Sequence, residues 1–415
     1  MKQIWSKSLA CLLCLALLVG MLPVAALAEE PLEPVSAVLE SPEASMTNGS
    51  SENNAIPLAD GTGDFTVAGG TFGMDYTYES NTLTIKSETQ LTISGTTSSG
   101  KIVVSDNVTA NLTLDGVSIT FNDGMAGSGD TTESNAGTCA LSLGANTTLN
   151  LTLAGENTLQ SGAGRAGIFV PQGSTLNVSG TGTLNVMGGR LAAGIGGDLW
   201  HNAGTINIEN GIINATGGSD AAAIGGGHAN DGEGLGQPYG GFTRISITGG
   251  TVNAETTGNS SAIGTGCWWK EGNCPILIRN AIVTASTTGT HQDCAAIGRG
   301  ISSGNNTVSV AITNSIVTAT NAAGKGDSIS SGGSSGVNIS NSIVSVSTGS
   351  DHTGNPTLSG IYTVLENQFL NIPAGSTLTL ADGAVLTNNG VIVNRGTISG
   401  SGKISNEGTK FETNQ

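Results

Sequence analysis

One short segment, Ala193-Gly194-Ile195-Gly196-Gly197, limits what this chain can fold into more than any other feature, because it keeps returning. It recurs as Ala223-Ile224-Gly225-Gly226-Gly227, Ala262-Ile263-Gly264-Thr265-Gly266 and Ala296-Ile297-Gly298-Arg299-Gly300, and more weakly around Ile329. The isoleucines are spaced 29, 39, 34 and 32 residues apart. After each copy comes a second block: Ile206-Asn207-Ile208, Ile245-Ser246-Ile247, Ile276-Leu277-Ile278, Val310-Ala311-Ile312 and Val337-Asn338-Ile339. Two residues on lies Asn210, Gly249, Asn280, Asn314 or Asn341. An apolar pair follows: Ile212-Ile213, Thr251-Val252 (half polar), Ile282-Val283, Ile316-Val317 or Ile343-Val344. Spacing is fixed inside the block and varies in the loop before it.

An apolar-x-apolar run places its large side chains on one face of a strand. Asn and Gly tolerate the left-handed backbone that a sharp corner requires. Each repeat therefore supplies three short strands and three corners, which is one coil of a solenoid. A single coil cannot bury its own core, whereas a stack of coils can. The pattern predicts an all-β, right-handed parallel β-helix with three short strands per coil, an interior column of Ile and Val, and an Asn ladder at one corner.

The same grammar runs in looser form through Leu112-Thr113-Leu114, Leu149-Asn150-Leu151 and Leu176-Asn177-Val178. In shorter coils it continues through Leu378-Thr379-Leu380, Val391-Ile392-Val393 and Ile404. One β-helix is therefore expected over 64–412, with 64–100 as a possible N-terminal cap. Glycine at 64 of 415 residues, with few charges and no collagen period, suits such a chain. Residues 29–63 are rich in Glu, Pro, Ser and Asn and read as a disordered linker. Before them, Lys2 and Lys7 precede an apolar run from Leu9 to Leu22 and a small-residue end, Ala26-Leu27-Ala28. That order reads as a secretory signal peptide over 1–28, too short for a membrane span. A secreted, extracellular chain without a span after cleavage is expected. It keeps all 31 acids but loses two of 14 bases, for a net charge of about −19. Nucleic acid binding is disfavoured, because it requires a basic footprint.

Four segments carry a family resemblance: Leu91-Thr92-Ile93-Ser94-Gly95, Gly100-Lys101-Ile102-Val103-Val104, Asn111-Leu112-Thr113-Leu114-Asp115-Gly116-Val117-Ser118-Ile119 and Gly155-Glu156-Asn157-Thr158-Leu159. They resemble the opening of secreted β-helix polysaccharide-binding proteins of clostridia and related Gram-positive bacteria. The Ala-Ile-Gly-Gly repeats resemble those of large Gram-positive adhesin-like surface proteins. The resemblance implies an extracellular or cell-surface role, binding polysaccharide or a cell-surface glycan, with calcium as the associated ion. The chain departs from such proteins in showing no cell-wall sorting motif.

The variable loops hold every tryptophan of the mature chain, Trp200, Trp268 and Trp269, together with Tyr239 and Phe242, and with His201, His228, Asp198, Asp231, Glu233, Lys270 and Glu271 nearby. Indole and phenol faces stack on sugar rings while polar neighbours bond hydroxyls. Trp200, Tyr239, Trp268, Trp269 and Lys270 are thus the candidate ligand-binding residues. The competing reading makes Trp268 and Trp269 a packing lid over the helix, and the two stand level. Cys267 and Cys274 flank that pair and, outside the cell, are expected to close a disulfide. Cys139 and Cys294 read as buried free thiols. Asp220, Asp293 and Asp327 precede the Ile-Gly strand and are the candidate metal, that is calcium, ligands; the plainer reading is that each caps its own turn. The Gly-Ile-Gly-Gly segments are not phosphate loops, since no helix follows.

Together these readings give a monomeric carbohydrate-binding, adhesin-like protein rather than an enzyme. Two alternatives stand beside it. One is a β-helix polysaccharide lyase or glycoside hydrolase drawing on Arg190, Arg299, Asp198, Asp220 and Asp293. The other is a structural spacer of a surface protein.

Overall fold

The computed structural model describes residues 62–124, 135–229, 239–269, 273–302, 307–332 and 336–412. The expected signal peptide, 1–28, and almost all of the expected linker, 29–63, lie outside them. The named elements are all strands, and nearly every pairing is parallel. The chain is an all-β parallel solenoid, as the repeats require.

Each coil contributes one strand to each of three faces. The first face carries the apolar-x-apolar blocks; Leu176, Ile206, Ile245, Ile276, Val310 and Val337 lie in one register from coil to coil. The second carries the strands after the Asn or Gly corner, with Ile213, Val252, Val283, Val317 and Val344 in register. The third carries the Ile-Gly strands, with Ile168, Ile195, Ile224, Ile263, Ile297 and Ile329 in register. Neighbouring coils are ~4.8 Å apart, the hydrogen-bonding distance between strands. The stacked isoleucines, leucines and valines form a single interior column, most of it fully buried.

The corners explain the glycines and asparagines. In the Ile-Gly strand, Gly196, Gly225, Gly264 and Gly298 have φ between 120° and 144°, where a side chain is strained. A Cβ at any of them would also strike the carbonyl oxygen of the equivalent residue one coil on. Between the first and second faces, Asn280, Asn314 and Asn341 take left-handed φ of 51°, 51° and 46°. Where Asn210 and Gly249 occupy that position, the left-handed residue is the following glycine, Gly211 or Gly250. The expected corner ladder is present: the Asn314 amide donates to Asn280 Oδ1 at 2.7 Å, and the Asn341 amide to Asn314 Oδ1 at 3.2 Å. Further amide ladders run up the outer faces. Asn111, Asn150, Asn177 and Asn207 are linked at 2.8 Å per step, as are Asn185, Asn214 and Asn253.

The stack opens with antiparallel pairs. Strand Phe65–Ala68 runs against Gln90–Thr97, and Tyr76–Glu79 against Thr82–Ile85. These antiparallel pairs lie within residues 64–100, at the opening of the stack. Its far end is closed similarly, by an antiparallel bridge between Val344 and His352.

The sequence reading ran one stack through 64–412, and here the structure differs. Residues 357–412 form three separate three-stranded parallel sheets, a second and narrower solenoid, and no ladder of the described residues joins it to the first. It lies against the outside of the second face. Ile282, Ile316 and Ile343, the first members of the apolar pairs, point outward and share a buried cluster with Leu358, Tyr362, Val364 and Leu370. The Tyr362 hydroxyl donates to the Asn280 carbonyl at 2.9 Å, and the Thr363 N–H to Thr251 Oγ1 at 3.0 Å. Reversal of the chain after His352 lets the shorter coils cover an apolar outer strip rather than extend the column.

Candidate binding edge

The loops that follow the Ile-Gly strands emerge along one edge, as their position in the repeat demands. The residue after the conserved isoleucine points outward on the third face. Up the ladder it is Val103, Ser142 and Phe169, then Gly196, Gly225, Gly264 and Gly298. Phe169 is thus the last large side chain before a run of glycines, and it is half-buried. The next coil's loop brings His201 edge-on to it, with centroids 5.6 Å apart and planes at 82°. The following coil adds Tyr239, 6.5 Å from His201. The His201 ring is fixed by a 2.9 Å contact between Nδ1 and the Leu199 carbonyl. Three partly exposed rings from three successive coils therefore form a row along the solenoid axis.

The row ends at a cleft of about 800 Å³, lined by Lys101, Asp106, Thr138, Cys139, Ser142, Arg165, Phe169 and Asp198 among others. Asp198 lies at its base and is 1% exposed. Its Oδ2 accepts from Arg165 Nη1 at 2.7 Å and its Oδ1 from the Ala166 N–H at 2.6 Å. Burial pushes the Asp198 carboxyl above its ordinary range, opposed by the Ala166 N–H and Arg165. Both oxygens are occupied, so the carboxylate orients Arg165 and is poorly placed to exchange protons with a substrate. Asp106 likewise accepts from the Ala145 N–H at 2.7 Å. Burial, followed by the charge of Asp198, pushes the Cys139 thiol up to about 12, which removes it as a nucleophile at neutral pH. What the cleft offers is a guanidinium, an ammonium, hydroxyls and one aromatic wall, a set suited to binding.

The sequence candidates divide. Tyr239 lies in the ring row. Trp200 and Trp268 are half-buried and share a corner position two coils apart, each with φ of 62°, as the bonds from Trp200 N–H to the His228 carbonyl and from Ala229 N–H to the Cys267 carbonyl show. Trp268 leans on Cys267, Cys294 and Ile301. Trp269 is 0% exposed within the main core, its indole against Gly241. It is a packing residue, and as a ligand platform it is corrected here. Lys270 lies outside the described residues, as do Glu271, Asp231 and Glu233.

The expected Cys267–Cys274 disulfide is absent. The two side chains are buried in different apolar clusters, Cys267 beside Cys294 and Cys274 beside Trp269. Cys274 belongs to the interior column and Cys267 to the separate cluster with Ile301 and Trp268. Burial pushes Cys274 up to about 11 and Cys294 up to about 12.

The metal candidates do not converge. Asp220 Oδ1 accepts from the Asn259 N–H of the next coil at 2.7 Å, so it caps a neighbouring coil's loop and not its own turn. Asp293 lies 3.5 Å from Arg299 and 3.6 Å from His291. Asp327 is exposed, and with Asp293 borders a shallow hollow that Asp220 does not line. Among the described residues no group of three or more His, Cys, Asp or Glu side chains could hold a metal ion. The acids proposed for catalysis are likewise dispersed: Asp198 serves Arg165, Asp220 a turn, and Asp293 pairs with Arg299.

Sequence reasoning passed over Phe169 and Arg165, although a signal was there. Ala166-Gly167-Ile168-Phe169 is an earlier copy of Ala193-Gly194-Ile195-Gly196 with phenylalanine in the outward glycine position. Lys101, in the same cleft, carries no such signal, since only the stacking of coils brings it there.

No family model, curated protein or solved structure matches this chain.

Proposed function

We propose that this protein is a secreted, extracellular polysaccharide-binding solenoid, of the adhesin-like kind found on Gram-positive surfaces, that holds a glycan along its loop edge. The row Phe169, His201 and Tyr239 carries this reading. Partly exposed rings repeated once per coil suit a chain of sugar rings laid along the axis, and the cleft beyond supplies Arg165, Lys101 and hydroxyls for polar groups. Anchoring Arg165 on a buried carboxylate holds it in place before ligand arrives, which lowers the entropic cost of binding. Binding is favoured over catalysis because both acids in the cleft already accept backbone or guanidinium hydrogens.

The test is retention of residues 29–415 on a panel of insoluble polysaccharides, with the supernatant assayed for released sugar. Retention without release, weakened about tenfold by Phe169→Ala or Tyr239→Ala, is the expected result. Release of oligosaccharides would favour a lyase or hydrolase instead. Retention indifferent to both rings would move the site elsewhere.

A further inference from the structure

The groove between the two solenoids is a different site, and we propose that it takes a neutral polysaccharide chain independently of the loop edge. It encloses about 890 Å³. Its floor is the outer side of the second face, where Asn214, Asn253, Thr284 and Thr318 occupy one register position in four successive coils. Side chains that donate and accept hydrogen bonds therefore recur every ~4.8 Å along the groove, close to the length of one pyranose ring in an extended chain. The wall is the turn and strand of the second solenoid that carry Phe369. That ring is 65% exposed, although the opposite face of its strand is in the core.

An exposed aromatic beside a polar ladder suits a sugar, which presents C–H faces to the ring and hydroxyls to the amides. Charge narrows the class. The groove is lined by the carboxylates Glu156, Glu255 and Glu366 and by no Lys or Arg, so polyuronates and nucleic acids are repelled. The site is built before any ligand arrives, because its walls are pinned together by the Gln368 amide on Asn253 and by the Tyr362 and Thr363 bonds.

The test is calorimetric titration of residues 29–415 with cellohexaose, mannohexaose and xylohexaose, and with a hexagalacturonate control. At least one neutral hexaose should bind and the uronate should not. Phe369→Ala, whose exposed ring is not needed for folding, and Thr318→Trp, which fills the floor, should each weaken that binding about tenfold or more, with the melting temperature held. The titrations are run in a Tyr239→Ala background, so that heat from the loop edge does not enter them. Absence of heat with all three neutral sugars, or binding that survives either groove substitution, would overturn the proposal. Failure of the loop-edge reading alone would leave the Phe369 dependence intact.

Discussion

Single glycines and carboxylates decide more here than their size suggests. Gly225 combines a φ of 138° with a neighbouring carbonyl where a Cβ would stand, so Gly225→Ala meets strain and overlap together. A loss of about 3 kcal/mol in denaturant unfolding is expected. Asp198→Ala strands the Ala166 N–H and takes the carboxylate away from Arg165, for an expected cost of about 2 kcal/mol in the same measurement. Glycan affinity should fall with it, because Arg165 is no longer oriented. The cysteines make a sharper contrast. With burial holding the thiols of Cys139, Cys274 and Cys294 protonated, native residues 29–415 should resist a thiol reagent at pH 8, and four thiols should titrate after denaturation. A count of two would mean a disulfide has formed.

Strands behave according to what covers them. On an exposed strand the outward position is polar, as at Glu156 and Thr183. It turns apolar at Ile282, Ile316 and Ile343, where the second solenoid lies. Burying such a side chain is worth about 1.5–3 kcal/mol. Ile316→Asp should therefore release residues 357–412, seen as new proteolytic cleavage between 347 and 356 while the first stack stays intact. In the cap, Asp75 accepts from Ser87 Oγ, Thr89 Oγ1 and the Thr71 N–H, which hold its carboxyl below the ordinary 3.8. A carboxyl with a depressed folded value adds stability above its unfolded value and loses it as pH falls through the folded one. The gap in melting temperature between the wild type and Asp75→Asn should thus be present at pH 6 and close below pH 3.8.

A stack of parallel coils has two open edges, and each would template another chain. Here Phe65–Ala68 and Gln90–Thr97 close one end, and the Val344–His352 bridge closes the other, with the His352 N–H donating to the Val344 carbonyl at 2.9 Å. His352→Pro removes that donor. Concentration-dependent association is then expected by sedimentation, where the wild type should stay monomeric.

The sequence alone determined the solenoid, its three faces, the inward column and the corner asparagines. Each follows from contacts between a coil and its neighbour, and those repeat with the period of the chain. It also placed Tyr239 on the loop edge, and it carried in Phe169 and in the doubled Ile-Val pairs two signals that only the structure made readable. Tertiary structure alone decided the rest. Trp269 went into the core and Trp268 against a separate small cluster, although the two are neighbours in sequence. Asp198 met Arg165 across 33 residues. The last three coils folded back as a second solenoid because an apolar outer strip was left to cover. Such contacts depend on where loops of unequal length return, and no periodicity in the sequence encodes that.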